Sequence, residues 1–361
     1  MATPSTNLTT PLAALHAAAG AKMGVWFACA MPDNFGDEAA EYRYARDTVA
    51  LIDKNYRAYL AFTGPDRVRY LNAILTNNIK DLAVGHGAIS LLLNPQGHIL
   101  AEIETYVFAD RLLCVSYAMI RERLIEWLDK YIIMDDVILT DETSRYGTLA
   151  LEGPKAAAIA LELSGMDVTK FDDLSCHDGA VGSIPCRVSK RSPGEVPGAE
   201  FFTETQNLPA LWQILSEAAR RHGGGPVGYA AVSATRLAQG VPWFGYDFGE
   251  KQIPHEAGLQ DTHISYTKGC YTGQEIVERV RSRGQVNRQR IRLAFSGDVV
   301  PETGTALTLD DKEVGHVTRA AKTWDPLRVI GMGYARKEAA APGTVLQCAG
   351  RPATVIEPLR A

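Results

Sequence analysis

The chain lacks the usual signatures of several protein classes. Its six cysteines, Cys29, Cys114, Cys176, Cys186, Cys270 and Cys348, include no C-x-x-C pair. The chain is also too long to need a disulfide framework, which points to a reducing compartment. Cys176-His177 with Cys186 is the nearest approach to a metal cluster, and its spacing is too sparse for one, so no metal site is expected. There is no G-x-S-x-G elbow, no phosphate-binding Walker loop and no G-x-G-x-x-G turn. No apolar run is long enough for a membrane helix. The longest near the N-terminus, 11–30, is broken by His16 and Lys22. Ala28-Cys29-Ala30 has the small-x-small form of a signal-peptidase site, but no lysine or arginine precedes Lys22. A cytoplasmic protein without membrane contact is therefore expected. Net charge is −5, which makes nucleic acid an unlikely partner. Internal repeats and low-complexity segments are absent too.

What is present fits a globular chain of two or three domains. It has 361 residues, 46% of them hydrophobic and 22% charged. Leu208, Leu211, Trp212, Leu215 and Ala219 predict an inward helical face ended by Gly223-Gly224-Gly225. Tyr229–Gln239 reads as another helix, stopped by Gly240. Ile99, Ala101, Ile103, Thr105 and Val107 alternate, so a strand is expected after a turn at Asn94-Pro95-Gln96-Gly97. A strand-like run is also expected over 181–190. From about residue 286 strands alone remain, with Gly or Pro between most of them. This predicts an antiparallel barrel or sandwich over 286–361, behind an α+β region spanning 1–285.

Lys268 to Arg292 is the densest stretch. Thr272 and Glu275 have the spacing of a capping box, which would start a helix with Thr272 as its N-cap. Cys270 would then sit near the positive end of the helix dipole, two residues from Lys268. Both features favour thiolate over thiol. The plainer alternative is a small buried hydrophobe. Arg279, Arg281, Arg283, Arg288, Arg290 and Arg292 follow at intervals of two within each trio. They form either a solvated, ion-paired surface or a dock for an anion.

Pro254-His255-Glu256-Ala257-Gly258-Leu259, Ile264-Ser265-Tyr266 and Lys268-Gly269-Cys270-Tyr271-Thr272-Gly273-Gln274-Glu275 resemble the signature of YgfZ-type folate-binding proteins. Those proteins act in iron–sulfur cluster assembly. They share a superfamily with the T-protein (aminomethyltransferase) of the glycine cleavage system, whose likeness to this chain runs from His16 to the C-terminus. The resemblance implies a T-protein-like three-lobed fold: two interwoven α+β subdomains around a folate cleft and a C-terminal antiparallel β-barrel. It also implies tetrahydrofolate or another reduced folate as cofactor, and iron–sulfur assembly or client proteins as partners.

On that resemblance Gly194-Glu195 and Gly198-Ala199-Glu200 look like the two halves of a G-E-x-G-x-E segment that presents a glutamate to the pterin. Glu200 is the first candidate and Glu195 the second. Arg236 matches an arginine of the family's helix, whereas another arginine of that helix falls on Val232. Asn94 matches a cleft asparagine, and Lys268 completes the candidate cofactor-binding set. Trp243, Phe244 and Tyr246 could stack on an aromatic ring. Cys270 is the candidate reactive residue. The aminomethyltransferases carry paired aspartates where this chain has Ala101-Glu102. Adjacent strand residues point to opposite faces, so the departure is expected to disfavour aminomethyl transfer. The main expectation is a folate-binding accessory factor for iron–sulfur clusters. A tetrahydrofolate-dependent aminomethyl or one-carbon transferase is the alternative, and a binding module in which Cys270 is merely structural is a third.

Overall fold

Asn94 organises the first sheet. Its Oδ1 accepts hydrogen bonds from the backbone N–H of Gln96 (3.0 Å) and His98 (2.9 Å), closing a tight turn with Gly97 at φ 77°. The turn joins strands Gly87–Leu93 and Ile99–Val107. The computed structural model describes residues 8–192, 194, 196–284 and 286–357. Within them this hairpin begins a five-stranded sheet that continues through Leu112–Tyr117, Arg57–Thr63 and Ile138–Asp141. One face of Ile99–Val107 presents Ile99, Ala101 and Ile103 to a core shared with Leu71, Ile74, Leu124 and Leu128 from helices Arg67–Ile74 and Arg121–Asp129. The period-2 geometry of a strand then sends Glu102 and Glu104 together to the other face.

A second sheet has six strands in the order Cys176–Val181, Ile184–Lys190, Gly198–Glu204, Tyr146–Glu152, Ala50–Asp53 and Gly225–Pro226. The run expected over 181–190 is thus the second arm of a hairpin, and the polar Cys176–Val181 is its first. Helices Ala156–Ser164 and Leu208–Arg221 bury Ala156, Ile159, Ala160, Leu208, Leu211, Trp212 and Leu215 against this sheet. The chain passes between the two sheets twice. Three residues link Ala50–Asp53 to Arg57–Thr63, and a short segment links Ile138–Asp141 to Tyr146–Glu152. The Lys54 ammonium pairs with Glu152 at 2.7 Å, and Asn55 Oδ1 accepts from the Thr148 N–H at 3.1 Å, pinning the first crossing to strand Tyr146–Glu152.

The C-terminal strands close into a six-stranded barrel in the order Arg288–Phe295, Arg328–Arg336, Lys312–Thr323, Ala306–Leu309, Val345–Cys348 and Arg351–Ile356. The α+β fold with a terminal barrel is therefore as expected. Helix Tyr229–Ala238 packs against the six-stranded sheet, a small three-stranded sheet and the barrel. It is buried on almost every side, as an apolar helix of small residues can be. The anion-dock reading of the arginine strip does not survive for its second half. Arg288 pairs with Glu256 (2.9 Å), Arg290 donates to the carbonyl oxygens of Ala257 (2.8 Å) and Gly240 (3.1 Å), and Arg292 donates to those of Glu357 (2.8 Å) and Ala238. These three arginines strap the barrel to the lobes. Arg279 and Arg281 lie on helix Gln274–Arg283, where Arg281 covers the Tyr266 ring at 4.2 Å.

Candidate functional site

The face of Ile99–Val107 that carries Glu102 and Glu104 looks into a cleft of about 30 Å³, on the scale of one water molecule. Tyr56, Arg57, Glu102, Glu104, Ser116 and Tyr117 line it. The Tyr117 hydroxyl donates to Glu102 Oε2 at 2.6 Å, and His263 Nε2 lies 3.0 Å from Glu102 Oε1. Burial, with the Glu102 charge next, pushes the Tyr117 phenol well above its ordinary range. His263 comes from a loop with no regular structure, yet it is fixed on both sides. Thr76 Oγ1 donates to the His263 carbonyl at 2.7 Å, the Ser265 N–H donates to the Thr76 carbonyl at 3.0 Å, and the ring Nδ1 meets Thr262 Oγ1 at 2.7 Å.

Beside this trio lies a buried ionic network. Arg57 grips Glu200 with both Nη atoms, at 2.6 and 2.9 Å. Arg57 also approaches Glu104 at 3.9 Å, and Arg191 Nε donates to Glu104 at 2.9 Å. Burial alone would raise the Glu104 carboxyl, but Arg191 and Arg57 outweigh it and hold the group at about 2. Burial opposes the Arg57 charge as well. Glu200 and Glu104 more than offset that, so the guanidinium stays charged.

Aromatic rings form one wall. Phe27 stacks on Tyr56 at 4.1 Å, Tyr56 on Tyr117 at 5.9 Å, and Tyr117 on Phe244 at 5.2 Å. Phe27 reaches this position from a two-residue hairpin turn in which both Phe27 (φ 53°) and Ala28 (φ 55°) are left-handed. Neither is glycine, and strain of this kind collects where a side chain must be aimed. Trp243, 5.0 Å from Phe27, lies under the Arg236 guanidinium at 4.4 Å. Arg236 is buried and paired with Asp247, which also accepts from Thr318 Oγ1 of the barrel at 2.6 Å. Two Arg236 donors, Nε and Nη2, are buried without a partner.

The sequence-predicted residues fall into two groups. Glu200 borders the cleft behind Arg57, which lines it, and Arg236 lies beyond the aromatic wall against Trp243. Asn94, Lys268 and Cys270 form a separate locus. Asn94 Oδ1 is engaged in its own turn. The Lys268 ammonium caps the end of helix Arg67–Ile74, donating to the carbonyl oxygens of Asn72, Leu75 and Asn77. Burial pulls Lys268 down to about 8 against those carbonyl dipoles. Cys270 is exposed, whereas the other five cysteines are buried. Glu195 lies outside the described residues. Thr272 is not the N-cap: the helix starts at Gln274 and Gly273 (φ 83°) takes the cap position with no side-chain bond. The cause is tertiary, since a Cβ on Gly273 would lie 2.7 Å from the Asn94 carbonyl oxygen. Expectation also missed Arg57, Arg191, Tyr117 and His263. The one local signal was the pair of acids at Glu102 and Glu104, two apart in an alternating strand.

The chain, described by lobes and barrel, matches two family models: the GCVT N-terminal domain over residues 12–266 and the glycine cleavage T-protein C-terminal barrel domain over 288–358. It belongs to this family. An aminomethyltransferase of Streptomyces avermitilis is 26% identical over 338 residues, covering 93% of this chain and 91% of the relative. One from Herpetosiphon aurantiacus is 28% identical over 311 residues, covering 86% and 84%. The crystal structure of the glycine cleavage system aminomethyltransferase T from Bartonella henselae superposes with a TM-score of 0.87 at 22% identity, covering 98% of each chain. That likeness establishes the three-lobed fold. The matches reach the T-protein superfamily and do not single out its YgfZ branch. No described helix is long and apolar enough to cross a membrane.

Proposed function

We propose that the chain binds a reduced folate in the Glu102–Glu200 cleft and works as a tetrahydrofolate-dependent aminomethyl or one-carbon transferase. The observation that carries this reading is the direction of Glu102. Of the family's paired aspartates, the acid missing from this chain is the one that falls on Ala101. Ala101 is fully buried in the lobe core, so an acid there would face apolar side chains, whereas Glu102 faces the cleft. The replacement Ala101-Glu102 thus leaves a carboxylate where chemistry can use it.

Tetrahydrofolate is the cofactor that family membership implies, and the donor set fits it. A pterin offers an amide-and-amine edge, and Glu200 and Glu104 supply acceptors. Glu104 Oε1 accepts from Arg191 and Oε2 from the Tyr106 hydroxyl, and each oxygen keeps a second lone pair. The orphaned donors of Arg236 fit a glutamyl carboxylate. When bound, the folate supplies the nitrogen that carries the one-carbon unit. The chain's own residues orient that group and exclude water. Admitting a bicyclic ring to so small a cleft requires the Arg57 side chain to leave Glu200. Calorimetric titration with tetrahydrofolate, beside a turnover assay with an aminomethyl donor, tests the reading. Glu200→Ala weakens binding about tenfold or more, as expected when a charged acceptor is lost, and Glu102→Gln removes turnover. Absence of binding by the wild type sinks it.

The reading of a folate-binding accessory factor for iron–sulfur cluster assembly, with cluster-assembly or client proteins as partners, is supported by one observation. The Cys270 thiol in the Lys268–Glu275 octet is exposed on a firmly clamped loop. One thiolate does not hold a cluster, which generally takes four, so that role would be transient or shared. Loss of client-enzyme activity in cells carrying Cys270→Ser, with turnover by the purified variant intact, separates the two readings.

A further inference from the structure

Every other acid of the cleft has an arginine, and Glu102 alone has a histidine. Glu200 is held by Arg57, and Glu104 by Arg191 with Arg57 behind it. Among the described residues, the basic side chain paired with Glu102 is His263, 3.0 Å away. Arginine stays protonated at any working pH, whereas imidazole titrates near neutrality. The electrostatics of the two halves of the cleft therefore differ: one is fixed and the other is switchable.

We propose that His263 and Glu102 share one proton and form the proton reservoir of the cleft, with His263 as the positioning residue that sets the charge Glu102 shows to a nitrogen-bearing ligand. This rests on the reading of the cleft as the ligand site. In the step, the N–H bond at His263 Nε2 breaks and an O–H bond forms at Glu102 Oε1, turning an imidazolium–carboxylate pair into a neutral imidazole and a carboxylic acid. The proton only moves within the pair, so no outside reactant is required. A ligand with a basic nitrogen then draws on the proton, and one with an acidic N–H returns it. The surroundings suit this. Thr262 on Nδ1 and Thr76 on the flanking backbone hold the ring in one orientation. The Tyr117 hydroxyl donates to Oε2 and so favours the carboxylate form of Glu102. The other titratable or charged groups facing the pair are Tyr56, Tyr117, whose phenol burial raises, and Arg57 and Glu104, which are paired with Glu200 and Arg191.

The test has two readouts on the full-length protein. First, the His263 imidazole nitrogens are followed by NMR as pH is scanned, without ligand. Glu102→Gln lowers the His263 midpoint by about one pH unit, because the stabilising anion is gone. Tyr117→Phe raises it, because Glu102 loses a competing donor and becomes more basic. If both variants, folded by circular dichroism, leave the midpoint unmoved, the proposal is wrong. Should Glu102→Gln fail to fold, the Tyr117→Phe shift decides alone. Second, tetrahydrofolate is titrated calorimetrically in buffers of different ionisation enthalpy. The wild type exchanges up to about half a proton on binding near the His263 midpoint, where the site is half-occupied, and His263→Gln abolishes that exchange. A wild type that binds without proton exchange also overturns the proposal. A wild type that does not bind tetrahydrofolate sinks the folate reading instead, and the NMR result then rules on the shared proton by itself.

Discussion

Arg57 places its two Nη atoms on the two carboxylate oxygens of Glu200, at 2.6 and 2.9 Å, joining residues from different sheets. A guanidinium fork on a carboxylate has the same two-donor pattern that a pterin edge would present. The protein thus supplies its own occupant for the acid that family resemblance assigns to the ligand. Breaking a buried pair by removing one partner leaves an uncompensated charge, which costs about 3–5 kcal/mol. Arg57→Met should lose stability by that order in urea denaturation, and the double variant Arg57→Met/Glu200→Met should recover most of it. A loss under about 1 kcal/mol in the single variant would show that the pair carries little of the cleft's cohesion.

Glu104 makes the same network sensitive to acid. Its carboxyl is held at about 2 in the fold, against an ordinary value of 4.5. A depressed carboxyl contributes stability above its unfolded value and loses it as pH falls through the folded one. The window is therefore between about 4.5 and about 2, and the contribution above it is on the order of 3 kcal/mol. Denaturation midpoints measured from pH 6 down to 3 should fall more steeply in the wild type than in Glu104→Gln. Parallel curves would place the acid sensitivity elsewhere.

Much of the fold could be read from local pattern. The barrel shows because its strands alternate and glycine or proline separates them. Helix Leu208–Arg221 shows because Leu208, Leu211, Trp212 and Leu215 repeat at helical spacing. The turn at Asn94 shows because an Asx residue, a proline and a glycine each take a position suited to them. The cleft is less legible because its bonds are long-range. Arg57 and Glu200 stand 143 residues apart, and His263 and Glu102 stand 161 apart. His263 sits in the polar run Gln260-Asp261-Thr262-His263, where nothing local distinguishes it from a surface residue. The Thr272 cap failed for the opposite reason. Its local pattern was sound, but the close approach of Gly273 to the Asn94 turn overrode it.

The turn that aims Phe27 is strained. A left-handed conformation costs a residue with a Cβ roughly 1–2 kcal/mol, and this hairpin has two such residues in succession. The Ala28 side chain is a single methyl, so Ala28→Gly removes strain with little loss of packing. Stability should rise by about 0.5–1 kcal/mol, with the gain visible in the thermal midpoint. Phe27→Gly relaxes the turn equally but deletes the ring stacked on Tyr56, and it should destabilise by about 3 kcal/mol. If both variants behaved alike, the turn would be independent of the aromatic wall.

The thiols divide by environment. Burial pushes Cys29, Cys114 and Cys176 up to about 12 and Cys186 up to about 11. Such thiols are both inaccessible and protonated at neutral pH, and the thiolate is the nucleophile. Cys348 is buried in the barrel and raised as well. Cys270 alone is exposed. A disulfide reagent added to the native protein should therefore modify one equivalent rapidly and the remaining five only on unfolding. Cys270→Ser should remove the fast phase and leave the rest. Lys268→Met tests the clamp beneath it: losing the ammonium leaves the carbonyls of Asn72, Leu75 and Asn77 without their donor, a loss of about 1–3 kcal/mol. Because the same loop carries His263 to Glu102, that variant should also disturb the His263 imidazole signals. A variant that frees the loop around Cys270 yet leaves the His263 signals unchanged would show that the two ends of the loop are held independently.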